Sequence, residues 1–223
     1  MNIKDIKNIM YEYQEYSYPK VSQVGGGWFE NNSDIRWYAN CVGDFDDGNI
    51  SEFYLNDSYS KKTRWDLWND IVLTFEEMNI KTNLDIGASN NHFSFLCNNK
   101  NIFSVGIEPR EDCLNSSSKA FIKYFGSDDY GYVGTFKTFS DFFDTYNEKI
   151  FDCITILNFL HGNDNIPEEI EKLFKVLPKV TNKILISNPQ WSKLGIRDYT
   201  KKYNVLKIFN DTANHILYEI GEN

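Results

Sequence analysis

Hydrophobic positions beyond about residue 60 follow two different spacings. The segment "SKKTRWDLWNDIVLTFEEMNI" places its apolar residues close to the period of a helix. Short and almost uninterrupted apolar runs then alternate with amphipathic stretches; the runs are "TNLDIG", "NIFSVGIE", "GYVGTF", "FDCITILNFL" and "KILISNP". Such runs, separated by helical segments, predict the strands of a parallel sheet that is covered on both faces.

The end of the chain has a different pattern. "NVLKIFN" and "HILYEIG" are separated only by "DTAN", which is a hairpin signal. Parallel neighbours need a long crossover, so these two strands are predicted to pair antiparallel. The chain is therefore predicted to be an α/β protein, mostly parallel, with a C-terminal antiparallel hairpin. Residues 1–58 have weak periodicity and many glycines, aromatics and acids, and we interpret them as an N-terminal cap or acceptor lid preceding a domain at 59–223.

Composition narrows the class of protein. The formal net charge of −9 argues against a broad nucleic-acid-binding face, although it leaves a local basic patch open. No run of about eighteen apolar residues is present, so neither a transmembrane helix nor a membrane partner is expected. Cys41, Cys97, Cys113 and Cys153 are scattered, without a C-x-x-C pair or a histidine cluster. This spacing suggests neither a metal site nor a disulfide framework, and it favours a cytoplasmic setting.

Two acidic residues end neighbouring predicted strands. Asp85 lies in the otherwise apolar end of "NLDIG", and Glu108 ends "IFSVGIE", an interval of 108 − 85 = 23 residues. Buried acids are uncommon unless they bind backbone N–H groups or a ligand amine. An acid at the tip of the second strand can accept hydrogen bonds from both ribose hydroxyls, and Gly87 lets the chain turn sharply beside a ligand. The sequence therefore predicts a nucleotide-type cofactor site at these strand ends.

These segments resemble a known family. "LDIGASNNHFSF…VGIEP" resembles the first two motifs of class I S-adenosylmethionine-dependent methyltransferases and is most similar to FkbM-type and related small O-methyltransferases. "FDCITILNFLHG" resembles the fourth-strand motif of the same superfamily. The resemblance covers residues 59–222. It implies a Rossmann-like seven-stranded sheet with helices on both faces, and S-adenosylmethionine as the cofactor.

A dinucleotide site is the alternative. "GASNNH" lacks two of the three glycines of G-x-G-x-x-G, so a pyrophosphate has poorer access to the backbone. The aspartate before Gly87 and the proline after Glu108 also favour the methyltransferase. In that family glycine usually stands at the position of Asn91. That position needs either a positive φ or the absence of a side chain against the ligand. Asparagine is the non-glycine residue that best tolerates left-handed geometry, so Asn91 suits the first requirement and not the second.

The resemblance implies roles for the first two strands and the helix before them. Asp85 and the loop from Gly87 through Ser89 to Asn91 would hold the amino and carboxylate ends of the cofactor. Arg64, in "KKTRWDLW", would pair with the cofactor carboxylate, with a solvated helix charge as the alternative.

The remaining implied roles fall on three segments. Glu108, followed by Pro109, would bind the ribose. The segment with Thr138 and Phe139 would border the adenine. Asn158 and Phe159, at the tip of the fourth predicted strand, would lie beneath the reactive sulfonium.

His161 is the catalytic candidate. It follows the fourth predicted strand, and removal of a proton from a hydroxyl acceptor needs a base with a pKa near neutral. The alternative is that His161 only borders the next loop. The resemblance implies methylation of a hydroxyl on a sugar, glycan or other small molecule. Methylation of RNA or protein, and a catalytically silent binding module with this fold, stay open.

Overall fold

The computed structural model of the protein describes residues 64–88, 91–157, 167–187, 196–210 and 215–221. The helices in those ranges are α1 Arg64–Glu77, α2 His92–Asn99, α3 Glu111–Phe125, α4 Phe136–Phe143, α5 Pro167–Val180 and α6 Ile196–Thr200. The strands are β1 Thr82–Ile86, β2 Phe103–Glu108, β3 Gly131–Val133, β4 Cys153–Ile156, β5 Lys183–Ser187, β6 Asn204–Asn210 and β7 His215–Glu219.

The strands form one seven-stranded sheet in the order β3-β2-β1-β4-β5-β7-β6. Strands β1 to β5 pair parallel, and β7 pairs antiparallel with both β5 and β6. Strand order runs outwards from β1 to β3 and then resumes with β4 on the other side of β1. The sheet therefore has its topological switch point between β1 and β4, where ligands of open α/β sheets bind beyond the carboxyl ends of the strands.

Helices cover both faces of the sheet. On the first face, α1, α2 and α3 contribute Ile71, Phe95 and Phe121 to a core that also contains Cys153 and Leu185. On the second face, α4, α5 and α6 pack on the opposite side chains of the same strands. That second core includes Leu84, Ile86, Val105, Ile154, Ile156, Ile184, Ile186, Phe139, Leu173 and Ile196. Alternate residues of a strand point to opposite faces, so each buried strand serves both cores.

The predicted alternation and the closing antiparallel pair are confirmed. Two details differ. The predicted run "GYVGTF" is a strand only over Gly131–Val133, because Thr135 caps α4, which begins at Phe136: the Thr135 hydroxyl accepts from the Thr138 backbone N–H at 3.2 Å. The short helix α6 was not predicted. The cap or lid interpreted at residues 1–58 lies outside the described residues.

Helices in the described part of the chain are too short or too polar to cross a membrane.

Candidate functional site

Two buried carboxylates stand at the carboxyl ends of β1 and β2. The side chains of Asp85 and Glu108 are 4% and 5% exposed. Asp85 lies opposite Gly106 in the β1–β2 register and opposite Thr155 in the β1–β4 register. The sequence prediction that both acids lie at neighbouring strand ends is confirmed: Asp85 is on β1, which borders the switch point, and Glu108 is on β2, on the other side of β1 from β4.

Asp85 is held by one short hydrogen bond. The Thr155 hydroxyl donates to Asp85 Oδ1 at 2.8 Å. Burial raises the pKa of Asp85 from 3.8 to about 7, the Thr155 hydrogen bond opposes this shift, and the charge of Glu108 adds to it. Asp85 therefore changes charge near neutral pH, and a cation placed beside it would stabilise the carboxylate.

The loop after β1 is bonded to the second strand. Gly87 has a φ of 80°. Its N–H and that of Ala88 both donate to the Ile107 carbonyl, at 2.8 and 3.0 Å. A positive φ is free of steric strain only for a residue without Cβ, which explains the glycine at 87. The turn leads the chain from the tip of β1 across β2 and into α2.

Asn91 adopts the left-handed conformation that asparagine tolerates, with φ 56° and ψ 25°. Its side chain is buried and turns towards β2 and β3. Asn91 Nδ2 donates to the Tyr130 carbonyl at 2.7 Å. A Cβ on Gly106 would lie 2.2 Å from Asn91 Oδ1, and one on Gly131 would lie 3.3 Å from Nδ2. The two glycines therefore make room for the asparagine side chain, which ties the loop to the edge of the sheet.

Glu108 accepts hydrogen bonds from Arg110. The backbone N–H and the Nε of Arg110 both lie 3.2 Å from Glu108 Oε1. The backbone carbonyl of Glu108 also accepts from the Gly134 N–H at 3.1 Å. These bonds fix the tip of β2 beside the segment that follows β3. A carboxylate held in this way is an acceptor suited to a pair of hydroxyl groups.

The other predicted site residues have varied positions. Thr138 is exposed in the first turn of α4, whereas Phe139 is 2% exposed and packs in the second core, its ring centroid 4.9 Å from that of Phe143. Pro109 is exposed beside Glu108. Arg64 begins α1, and its side chain lies outside the described residues. So do the residues Ser89, Asn158, Phe159 and His161. The roles assigned to all of these residues stay predictions.

Sequence reasoning missed Thr155, Asn83 and Gly106. Thr155 and Asn83 are fully buried and connected to Asp85 by hydrogen bonds, and Gly106 makes room for Asn91. The signal was present: Asn83 and Thr155 are polar residues inside otherwise apolar strands. Their connection could not be seen, because it depends on the register of strands about 70 residues apart.

A cavity of about 580 Å³ opens at the other end of the strands. It is lined by Lys149, Phe174, Lys175, Pro178, Lys179, Lys202 and Gly221. Three of its lysines are already paired: Lys149 donates to the Thr181 carbonyl at 3.0 Å, and Lys175 and Lys179 contact Glu171 and Asp144. We therefore place the candidate site at the tips of β1 and β2 and not in this cavity.

The order of the strands and the closing antiparallel pair define the Rossmann-like methyltransferase fold. The chain is similar to magnesium protoporphyrin IX methyltransferase (ChlM) from Synechocystis PCC 6803, solved with bound S-adenosylmethionine; identity is 10% over 92% of this chain and 95% of that one, with a TM-score of 0.54. It is also similar to the PH0226 protein of Pyrococcus horikoshii OT3, at 16% identity over 80% of this chain and 100% of that one (TM-score 0.52).

A third similar structure is monomeric WbdD, at 16% identity and a TM-score of 0.51; the match covers 82% of this chain and 43% of that one. No model of a known protein family matches the sequence, and no curated protein matches it either. At these identities the likeness establishes the fold.

Proposed function

We propose that the protein is an S-adenosylmethionine-dependent methyltransferase. The observation that carries the proposal is the pair of buried carboxylates, Asp85 and Glu108, at the tips of adjacent strands beside a loop with two left-handed residues, Gly87 and Asn91. The cofactor has an ammonium group and a ribose with two hydroxyls, so its polar ends match two separate acidic acceptors. The bound cofactor of the Synechocystis enzyme with the same fold supports this choice.

The proposal assigns a role in cofactor binding to each part of the site. Asp85 and the loop from Gly87 to Asn91 hold the ammonium and carboxylate ends, with Ser89 in that loop and Arg64 as the partner of the cofactor carboxylate. The sulfonium carries the methyl group that is transferred when the cofactor is bound.

Further residues serve the rest of the cofactor. Glu108, beside Pro109, binds the ribose, and Thr138 and Phe139 border the adenine. Asn158 and Phe159 are assigned to the sulfonium, as the sequence resemblance implies. Positioning of the acceptor against the methyl carbon supplies most of the rate enhancement in such a displacement.

We assign the acceptor to the class of hydroxyl groups on a sugar, a glycan or another small molecule, which is the chemistry of FkbM-type and related small O-methyltransferases. The motif "DIGASNNHFS" with "EP" after the second strand supports this subtype. The segment 1–58 is an N-terminal cap or an acceptor lid in this proposal, since it is the part of the chain that the cofactor-binding motifs leave unassigned.

His161 is the general base in this proposal, because it follows the fourth strand, where acceptor and methyl group meet. His161→Ala is expected to lower turnover by about 10²–10⁴-fold while cofactor affinity stays close to that of the wild type. Steady-state rates with a hydroxyl acceptor, together with cofactor titrations, measure both. His215→Ala, at the start of β7, is the matched histidine control. Full turnover of His161→Ala would show that the reaction needs no base at this position.

Titration calorimetry with S-adenosylmethionine and with its demethylated product tests the cofactor assignment. Saturable binding of both molecules is the expected result. A flat titration at millimolar ligand would contradict the enzyme assignment and leave a binding module with this fold. NADH, which carries a pyrophosphate between two riboses, is the matched ligand control and is expected not to bind.

A further inference from the structure

A row of buried polar side chains connects Asp85 to the interior of the sheet. Asn83 Nδ2 lies 3.3 Å from Thr155 Oγ1, and Thr155 Oγ1 lies 2.8 Å from Asp85 Oδ1. In the other direction, Asn83 Nδ2 lies 3.0 Å from Ser104 Oγ, which is 3.1 Å from Ser94 Oγ of α2. Asn83, Ser94, Ser104 and Thr155 are each 0% exposed. The row therefore lies wholly inside the protein, on the α2 face of the sheet.

The number of hydrogens on each side chain determines which groups donate and which accept in this row. The amide of Asn83 has two hydrogens, and its bonds to Ser104 and Thr155 use both. Thr155 accepts from Asn83, so its own single hydrogen is free to be donated. Its nearest acceptor is Asp85 Oδ1 at 2.8 Å, whereas the Leu84 carbonyl is 3.4 Å away. A carboxylate is also the stronger acceptor, so the Thr155 hydroxyl donates to Asp85.

Burying the amide of Asn83 has a cost in stability. In the part of the chain that the structure describes, Asn83 Oδ1 accepts no hydrogen bond although it is buried. An unsatisfied buried acceptor is unfavourable, and an apolar side chain at position 83 would avoid it. The position opposite it on the other face, Leu84, is apolar. This contrast points to a role for the amide hydrogens of Asn83.

We propose that Thr155 and Asn83 are positioning residues that stabilise the charged form of Asp85 and keep it in the orientation that receives the ammonium group of the cofactor. The inference rests on the proposed function for the identity of the cation. Asn83 fixes the hydroxyl of Thr155, and Thr155 stabilises the carboxylate of Asp85. Both act through Asp85 and neither contacts the ligand.

The titratable groups around Asp85 lie on three elements. Glu108 at the tip of β2 adds negative charge, which favours the neutral form of Asp85. From α2, Cys97 is a buried thiol whose pKa is raised well above its ordinary value by burial and, secondly, by the charge of Asp85. From β4, burial likewise raises the pKa of Cys153, so it too is neutral. His92, at the start of α2, is also buried. Thr155 is thus the described side chain that counters the burial of Asp85.

The pH dependence follows from the sign of these effects. Asp85 has a pKa of about 7, so below that pH the carboxyl is protonated and offers less to a cation. Cofactor affinity is therefore expected to fall as the pH drops below about 7. Removing the Thr155 hydroxyl takes away the effect that lowers the pKa, so the midpoint moves to higher pH. A hydrogen bond to a charged group corresponds to about one to two pH units.

The experiment is a carboxyl titration followed by carbon NMR on protein labelled at the aspartate side chains, with Asp85→Asn identifying the Asp85 signal. Thr155→Val is expected to raise the midpoint by about one to two pH units, and Asn83→Val to raise it by less. Thr155→Ser keeps the hydroxyl and is expected to restore the wild-type midpoint. Thr200→Val is the matched control: Thr200 is a buried threonine of α6 that donates to the Ile196 carbonyl.

The variants Thr155→Val, Asn83→Val, Thr155→Ser and Thr200→Val are then titrated with S-adenosylmethionine at several pH values. The acid limb of binding is expected to move with the carboxyl midpoint in Thr155→Val and to stay in place in Thr200→Val. Equal midpoints for Thr155→Val and Thr200→Val would overturn the inference. If the wild type binds no S-adenosylmethionine at any pH, the proposed function and the ligand half of this inference fail together. The carboxyl midpoints would in that case still decide whether Thr155 and Asn83 control the charge of Asp85.

Discussion

The two faces of the sheet are built from the same strands but from different chemistry. On the face covered by α4, α5 and α6, β1 and β4 contribute Leu84, Ile86, Ile154 and Ile156, all buried and apolar. On the face covered by α1, α2 and α3, the alternate positions of β1 and β4 are Asn83, Asp85, Cys153 and Thr155. Both faces carry a hydrophobic core, but the face covered by α1, α2 and α3 also contains the row of polar groups that ends at the candidate site.

The difference follows from the alternation of side chains along a strand. A strand in the middle of a parallel sheet can have an apolar face that drives folding and a polar face that carries chemistry. Because the polar face removes hydrogen-bonding groups from water, each must be satisfied internally or reduce the stability of the fold. Substitutions on the two faces are therefore expected to affect different properties of the protein.

The largest expected effect is a loss of stability on the apolar face. Ile154→Ala removes a side chain that is 0% exposed in the second core and leaves a cavity between β4 and α5. The free energy of unfolding is expected to fall by about 2–5 kcal/mol. Chemical denaturation measures it. The pH at which Asp85 titrates is expected to stay unchanged, and a shifted titration would show that the two faces are not independent.

The next expected effect is a gain in stability, and it comes from a substitution on the polar face. The pKa of Asp85 is raised from 3.8 to about 7, so between those values the folded state binds more protons than the unfolded state. Stability is therefore lost as the pH rises through that window, by up to about 4 kcal/mol. Asp85→Asn removes this loss. The variant is expected to be more stable than the wild type by a larger margin at about pH 8 than at about pH 5, and to lose cofactor affinity.

Thermal unfolding at both pH values checks the prediction. Ile154→Ala serves as the reference, because its loss of stability is expected to be the same at both. A variant Asp85→Asn that is less stable than the wild type at the higher pH would contradict a destabilising role for the carboxylate.

A smaller effect is expected for cofactor affinity at the tip of β2. Glu108→Ala is expected to weaken binding by about ten- to a hundredfold, since a hydrogen bond to a charged group is worth about 1.5–3 kcal/mol. Calorimetric titration measures the change. Glu111→Ala, an exposed acid three residues further on at the start of α3, controls for the loss of one negative charge. Equal affinities for the two variants would place Glu108 away from the ribose.

The smallest effect is expected at the exposed surface of the helices that cover the apolar face, α4 and α5. Lys172 of α5 contacts Asp141 of α4, with N–O distance 2.6 Å, and the side chains are 40% and 54% exposed. The pair lowers the pKa of Asp141 and raises that of Lys172, each by the hydrogen bond between them. Solvent screens such pairs, so Lys172→Ala is expected to leave the melting temperature within error of the wild type. A drop comparable to that of Ile154→Ala would show that the helices depend on this contact.

The strand–helix order could be read from the sequence because it depends on local spacing. Uninterrupted apolar runs can be satisfied only by burial on both faces, and four residues between the last two runs allow only a hairpin. The acids at the ends of "NLDIG" and "VGIE" were also visible, since each is anomalous beside its own neighbours. Residue type also showed that Asn91 tolerates a left-handed conformation, and its φ of 56° shows that it adopts one.

Other features depend on pairs of residues that are distant in the chain. Spacing cannot show that Gly106 and Gly131 make room for the Asn91 side chain, because the three residues come from a loop and two strands. Nor can it show that Thr155 donates to Asp85 across 70 residues, since a shift of one position in the β1–β4 register would turn Thr155 to the other face. The sequence by itself determined which elements form and which acids end the strands. Only the tertiary structure decided which polar side chains meet, because register and helix packing bring them together.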